Sequence, residues 1–93
     1  MKEGEKMASR KPIRLTNHAR EQCVERGATE DEVQQAVMYG AREIAKYDRI
    51  LCRYNITFGQ TWHGKRYQIK QVAPVIKETA TEAIVVTVYT FFF

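Results

Sequence analysis

The sequence predicts an α+β fold in which two N-terminal helices pack on a four-stranded, mainly antiparallel sheet. The first part of the chain carries helix-capping signals and a helical apolar spacing, whereas the residues beyond Gly40 alternate with the period of a strand. A short extended segment precedes the helices, so the predicted order is β-α-α-β-β-β. With 93 residues, of which 44% are hydrophobic, the chain is long enough for one core and too short for two.

Residues 12–93 are predicted to form a single domain behind a basic lead-in, residues 1–11. The lead-in is rich in Lys, Glu, Arg and Ser and has no apolar stretch, which is typical of a disordered segment and not of a secretory signal. The longest apolar run, residues 83–93, is far shorter than the roughly 20 residues that a membrane helix needs. We therefore expect a soluble protein with no membrane partner.

The cysteine and histidine content favours a cytoplasmic protein without a metal. Cys23 and Cys52 lie in different predicted elements and form no C-x-x-C pair, so reduced thiols are expected rather than a disulfide framework. With His18 and His63 they would complete a zinc set in number, but no two of the four have the spacing of zinc ligands. The sequence therefore predicts no metal and no cofactor.

The first two elements are a short strand and a capped helix. Pro12 biases the residue before it away from helix, and the residues up to Leu15 alternate apolar with basic, which predicts an edge strand. Thr16 can cap a helix that runs to Arg26, where Gly27 can adopt the left-handed conformation that closes a helix. A helical wheel places four residues on or beside the side that faces the sheet: Leu15, Ala19, Cys23 and Arg26.

A second helix begins at a capping box. The Thr29 side chain can accept from the backbone N–H of Glu32 while the Glu32 side chain reaches back. Gly40 is a natural end for this helix, and residues 43–47 can supply one further short strand. The apolar stripe between them has helical spacing and comprises Val33, Ala36 and Val37.

Strands follow the second helix. Residues 50–58 predict a long strand, residues 59–64 (GQTWHG) a hairpin loop, and residues 65–73 a second strand. Pro74 would interrupt the hydrogen-bond ladder, so it predicts a bulge or an edge position. The polar stretch at residues 77–82 turns the chain into AIVVTVYT, which is apolar on both faces and is therefore predicted to be the central, most buried strand.

The net charge of +4 is unevenly distributed. Residues 16–44, the predicted helices, carry three basic against six acidic side chains, whereas residues 45–79 carry seven basic against two acidic ones. A basic sheet surface attracts polyanions such as nucleic acid, although a modest excess of lysine is also ordinary on a solvated surface. RNA is therefore one candidate partner.

His18 lies near the start of the first predicted helix, where it and Gln22 border the apolar side. The positive end of the helix dipole disfavours the imidazolium, so a neutral ring that accepts a proton near pH 7 is a candidate general base. In the structural alternative, His18 donates a hydrogen bond to a strand carbonyl, and Arg26 pairs with Glu30 or covers the core with its stem. The residue pattern by itself favours the structural alternative.

The segments LTNHAREQCVERG (residues 15–27) and ATEDEVQQAV (residues 28–37) resemble a small prokaryotic domain family of unknown function. The family hallmark is His-Ala, two arginines, Gly, a capped second helix and a final VTVY-like strand, and the resemblance spans residues 13–90. That family is similar to RelE/ParE-type toxins and to the ribonuclease assemblage that includes barnase and colicin-like nucleases. The matching residues are His18, Ala19, Arg26, Gly27, Val86, Thr87, Val88 and Tyr89.

The resemblance implies a RelE-like fold and, if activity is shared, metal-independent RNA cleavage by attack of the 2′-hydroxyl on the adjacent phosphate. His18 is then the expected base, and Thr87 and Tyr89 would orient the phosphate or donate a proton. Ordinary cross-strand packing explains Thr87 and Tyr89 equally well. Gln22 stands where the family usually has an arginine, which weakens a phosphate-binding role for the helix. The candidate cations are Arg26, Arg66 and Lys70.

Two aromatic segments are further candidate contact sites. At TWHGK, Trp62 offers a stacking face, His63 a titrating group and Lys65 a cation, although a Trp62 folded back onto the sheet is the favoured alternative. The terminal FFF, residues 91–93, predicts packing on the core or contact with an antitoxin-like protein or a second copy. A non-catalytic module that keeps the fold and binds protein or nucleic acid is therefore the alternative to a ribonuclease.

Overall fold

The structure, a computed structural model, describes residues 11–93, so nearly all of the predicted lead-in lies outside the described residues. The helices are α1 (Asn17–Arg26) and α2 (Glu30–Tyr39), and the strands are β1 (Ile13–Leu15), β2 (Ala41–Ile44), β3 (Ile50–Trp62), β4 (Lys65–Glu78) and β5 (Ala83–Phe92). The strands form one sheet in the order β1-β5-β4-β3-β2.

The α+β class is confirmed, and two details of the predicted sheet are corrected. The sheet has five strands rather than four: the further short strand that residues 43–47 could supply forms earlier, directly after Gly40, as β2, and pairs with β3. The sheet is mixed, because β1 runs parallel to β5, with Ile13 opposite Ala83 and Leu15 opposite Val85. The predicted mainly antiparallel character applies to the other strand pairs.

Both helices begin and end at their capping residues. The Thr16 hydroxyl accepts from the Ala19 N–H at 3.1 Å, and Gly27 closes α1 with a φ of 76°. Thr29 and Glu32 form the predicted capping box of α2 through two hydrogen bonds of 3.0 Å. These bonds are local in sequence, which is why the sequence predicts both helices well.

The hairpin between β3 and β4 is tighter than predicted. His63 and Gly64, with φ values of 50° and 82°, form a two-residue turn in place of the expected loop at residues 59–64. Gly59 lies inside β3, where its φ of 58° accommodates a bulge in the ladder between Thr57 and Gln60. Gly59, which suggested a loop in the sequence, therefore forms a bulge within the continuous strand β3.

The central strand is β4, so the prediction that the last strand is central and most buried is wrong. β5 lies between β1 and β4 only as far as Val85, and its outer edge beyond that residue has no neighbouring strand within residues 11–93. Pro74 lies in β4 opposite Val88, beside a shift in the β4–β5 register. The predicted irregularity is therefore present next to Pro74, but in the middle of the sheet and not at an edge.

One core lies between the two helices and one face of the sheet. No helix of residues 11–93 covers the opposite face, which we call the open face. Burial of these apolar side chains stabilises the packing of both helices on the sheet. The buried members of the core are Leu15, Ala19, Cys23, Val33, Ala36, Val37, Cys52, Val72, Ile76, Ala83, Val85 and Val88.

Candidate functional site

The free edge of β5 is bonded by two side chains of α1. The Gln22 Oε1 accepts from the Val88 N–H at 2.8 Å, and the Arg26 Nη1 donates to the Val88 carbonyl at 2.8 Å. Gln22 is 7% exposed. An arginine at this position could not accept the Val88 N–H, because a guanidinium has no acceptor atom.

Replacing Gln22 with methionine is expected to lower the free energy of unfolding by about 2 kcal/mol, because the Val88 N–H then stays buried without an acceptor. Urea denaturation measures the change. Gln35→Met, at an exposed position of α2, is the matched control and should change stability by less than about 0.5 kcal/mol. Equal stability of the two variants would contradict a structural role for Gln22.

The expected general base, His18, is exposed on the first turn of α1, one helical turn before Gln22. It therefore lies on the helix side of the β5 edge. Thr87 and Tyr89 flank Val88, which is buried in the core, so alternation directs them to the open face. The structure brings Thr87 and Tyr89 together at one hollow on the open face, described below, and His18 is not among the residues that line it.

Lys70 is bound within the fold. It is 5% exposed, its Nζ donates to the Gly27 carbonyl at 2.8 Å, and it pairs with Glu32 at 2.8 Å. The ammonium also lies 5.2 Å from the centroid of the Phe58 ring. Because the ammonium is buried on the helix side of the sheet, away from the open face, Lys70 is left out of the candidate site.

Trp62 joins the β3–β4 hairpin to the turn between the helices. Its ring stacks with those of His63 and Phe92 at centroid distances of 4.3 and 5.3 Å. It also lies against Gly27, where a Cβ would stand 2.7 Å from the ring. Trp62 therefore packs inward, and the exposed candidate residues of the hairpin are His63, Lys65 and Arg66.

The open face of β5 carries exposed aromatic residues. Every second residue from Thr87 projects to this face, and Tyr89 and Phe91 are 44% and 43% exposed. An arginine lies near each ring, with the guanidinium carbon of Arg26 5.3 Å from the Tyr89 centroid and that of Arg53 5.7 Å from the Phe91 centroid. We call Tyr89 and Phe91 the aromatic row.

Hydrogen bonds hold the Arg53 guanidinium beside the aromatic row. Its Nε donates to Glu43 at 2.6 Å and its Nη1 to the Gln71 side chain at 3.0 Å. Gln71 lies opposite Phe91 in the ladder and donates in turn to Asn55 at 2.8 Å. The guanidinium is therefore positioned on the sheet surface before any ligand binds.

A hollow of about 290 Å³ lies on the open face beside Tyr89. One wall is the turn at Lys46–Asp48, which joins β2 to β3, and the floor is formed by β3, β4 and β5. Thr87 and Tyr89 therefore meet Lys46 and Arg49 here, and not Arg66 or Lys70. The lining residues are Ala45, Lys46, Tyr47, Arg49, Leu51, Val75, Val86, Thr87 and Tyr89.

Sequence reasoning missed three cations of this surface: Lys46, Arg49 and Arg53. Phe91 is expected as part of the terminal FFF, and the alternation that places Thr87 and Tyr89 on one face continues to it. The position of Arg49 depends on the preceding turn, where Tyr47 and Asp48 have φ values of 60° and 58°. A left-handed conformation at two residues other than glycine has no sequence signal.

Within residues 11–93 the other candidate features are the two thiols, the possible metal ligands and the two helices. Burial raises the pKa of both Cys23 and Cys52, so neither is a thiolate near neutral pH. Among residues 11–93 no group of three His, Cys, Asp or Glu side chains could hold a metal ion. Neither α1 nor α2 is long and apolar enough to cross a membrane.

Comparisons of the chain with protein-family models, with curated proteins and with solved structures found no match. The resemblance of the first helix to toxin-like domains therefore stays a prediction. The functional assignment depends on the open face.

Proposed function

We propose that the open face of the sheet binds single-stranded RNA. The observation that carries this proposal is the aromatic row, in which two exposed rings on alternate residues each lie beside an arginine. Aromatic rings on a sheet surface stack with unpaired bases, and arginine adds attraction to the base faces and to the phosphates.

The spacing of the row favours a single strand over a duplex. Alternate residues of a strand are about 7 Å apart. Stacked bases within one nucleic-acid strand are about 3.4 Å apart. Bases that stack on Tyr89 and Phe91 must therefore be separated from each other, which the bases of a continuous duplex cannot be.

Charge around the row supports the same partner. Arg26, Arg53, Arg49 and Lys46 border the row or the adjoining hollow. Each phosphate contact in a single strand contributes a slope of about −0.7 to the dependence of log K on log salt. Binding by this face is therefore expected to weaken as salt rises.

Cleavage is not included in the proposal, because His18 does not line the hollow in which Thr87 and Tyr89 lie. The toxin resemblance implies ribonuclease activity, and the binding experiment also tests for it. Loss of intact RNA with the wild-type protein, but not with His18→Ala, would favour it over binding alone.

We expect Tyr89→Ala and Phe91→Ala each to weaken the affinity for a short labelled oligouridine about tenfold, because each variant removes one stacking surface. Fluorescence anisotropy at low salt measures the affinity, and a second titration at higher salt gives the slope. Tyr39→Ala is the matched control, since Tyr39 is 68% exposed on α2, away from the open face. It should leave the affinity unchanged.

Two results would overturn the proposal. One is the absence of RNA binding at low salt, and the other is an equal loss in all three variants. If sedimentation then shows self-association that Phe91→Ala removes, the aromatic row is a protein contact instead. That outcome would support the non-catalytic interaction module.

A further inference from the structure

The hollow adjoins the aromatic row at its Thr87 end. Tyr89 lines the hollow and also supplies one ring of the row. A strand that stacks on Tyr89 and Phe91 therefore brings its backbone to the hollow. The volume of about 290 Å³ is at the small end of ligand pockets, which start near 300 Å³. It suits one phosphate and its sugar better than a further length of strand.

Arg49 lines the hollow, and its guanidinium carries a donor without a partner. Its Nε is buried and has no hydrogen-bond partner, although the residue as a whole is only half-buried. The ion pairs among residues 11–93 do not include it. A buried donor without an acceptor bears the full cost of desolvation, and native proteins rarely leave one in that state.

Lys46 and Thr87 add donors of the kind that bind phosphate. Lys46 is exposed and contributes an ammonium, and Thr87 contributes a hydroxyl from β5. Arginine binds phosphate oxygens through several N–H groups in one plane, whereas lysine adds a point charge. The described residues that line the hollow thus include two cations and no carboxylate.

The nearby carboxylates do not occupy this position. Glu43 is bonded to Arg53 at 2.6 Å, and Asp48, in the turn, is exposed and does not line the hollow. The hollow therefore keeps its positive charge in the folded protein.

The turn that carries Lys46 and Arg49 is strained. Tyr47 and Asp48 both have positive φ, in a turn geometry for which hairpins prefer Asn-Gly. The Arg49 N–H donates to the Lys46 carbonyl at 3.2 Å, so the strained pair fixes the two cationic residues that flank it. Backbone strain of this kind concentrates at binding sites.

We infer that the hollow binds the terminal phosphate of the single-stranded RNA that stacks on the aromatic row. The phosphate lies against the Arg49 guanidinium, the Lys46 ammonium and the Thr87 hydroxyl. This inference rests on the proposed function. It adds that the site recognises a phosphorylated end rather than any position along the strand.

The test compares three labelled oligouridines of equal length: one with a 5′-phosphate, one with a 3′-phosphate and one with hydroxyls at both ends. Fluorescence anisotropy gives the affinity for each. The wild-type protein should bind one phosphorylated form about tenfold more tightly than the hydroxyl form, since a charge-assisted hydrogen bond contributes that much. The two phosphorylated arms identify which end is bound.

Arg49→Gln is expected to reduce the ratio of the affinities for the phosphorylated and hydroxyl forms to about one. Lys46→Gln should lower it as well, and because the Lys46 side chain is exposed, this variant should fold even if Arg49→Gln does not. Arg20→Gln is the matched control, with the same loss of charge at an exposed position of α1, and should keep the tenfold preference.

Each outcome separates the two proposals. Equal binding of all three oligonucleotides by the wild-type protein overturns the terminal-phosphate inference and leaves RNA binding in place. A preference that survives both Arg49→Gln and Lys46→Gln shows that the phosphate binds outside the hollow, and also overturns it. No binding of any oligonucleotide overturns the proposed function and this inference together.

Discussion

Replacing Lys70 with methionine is expected to lower the free energy of unfolding by about 3 kcal/mol, because the variant removes the two charge-assisted hydrogen bonds of a buried ammonium. The Lys70 ammonium bonds to the Gly27 carbonyl and to Glu32, each at 2.8 Å, and its side chain is 7% exposed. Methionine has a similar length but no donor. Urea denaturation followed by circular dichroism measures the loss.

Two further variants test the cause of that loss. Lys65→Met removes an exposed lysine at the start of the same strand and should change stability by less than about 0.5 kcal/mol. Glu32→Gln removes the carboxylate charge but keeps a side chain suited to the capping box. In that background Lys70→Met should cost less than it does alone. An unchanged cost would show that the ion pair contributes nothing.

Gly27→Ala is expected to destabilise the protein by about 3 kcal/mol, because two unfavourable effects act at one position. The residue has a φ of 76°, which is unfavourable for a side chain, and the new Cβ would stand 2.7 Å from the Trp62 ring. The ring cannot easily move, since it stacks with His63 and Phe92. Thermal and urea unfolding both measure the effect.

Gly64→Ala isolates the contribution of the ring. Gly64 has a similar φ of 82°, but no atom lies within 4 Å of a Cβ built there. This variant should therefore lose only the stability that a side chain costs at positive φ, about 1 kcal/mol. If Gly27→Ala and Gly64→Ala lose the same stability, the contact between Gly27 and Trp62 is not rigid.

The parts of the fold that the sequence predicts are those fixed by neighbouring residues. The α1 and α2 boundaries depend on caps within three or four positions, and they are confirmed at Thr16 and Thr29. The pairing of Ile13 with Ala83 joins distant segments, and no periodicity within either segment identifies the other. The same reason explains why β4 and not β5 is central: strand order is a property of the whole chain.

The candidate site could be predicted only in part. Alternation along β5 is enough to put Thr87 and Tyr89 on one face, but charge counting could not tell a bonded lysine from a free one. Lys70 and Lys46 look alike in the sequence, yet the first is buried in an ion pair and the second is exposed at the hollow. The orphan Nε of Arg49 depends on a backbone conformation that the residues around it do not favour.

The bonding of Val88 by Gln22 and Arg26 has a consequence for aggregation. A sheet edge whose N–H and C=O groups point outward is a template on which another chain can add as a new strand. At Val88 both groups are already occupied, and β5 continues only to Phe92. Another strand could add at Val88 only after Gln22 and Arg26 release these groups, so α1 blocks this position of the edge as well as covering the core.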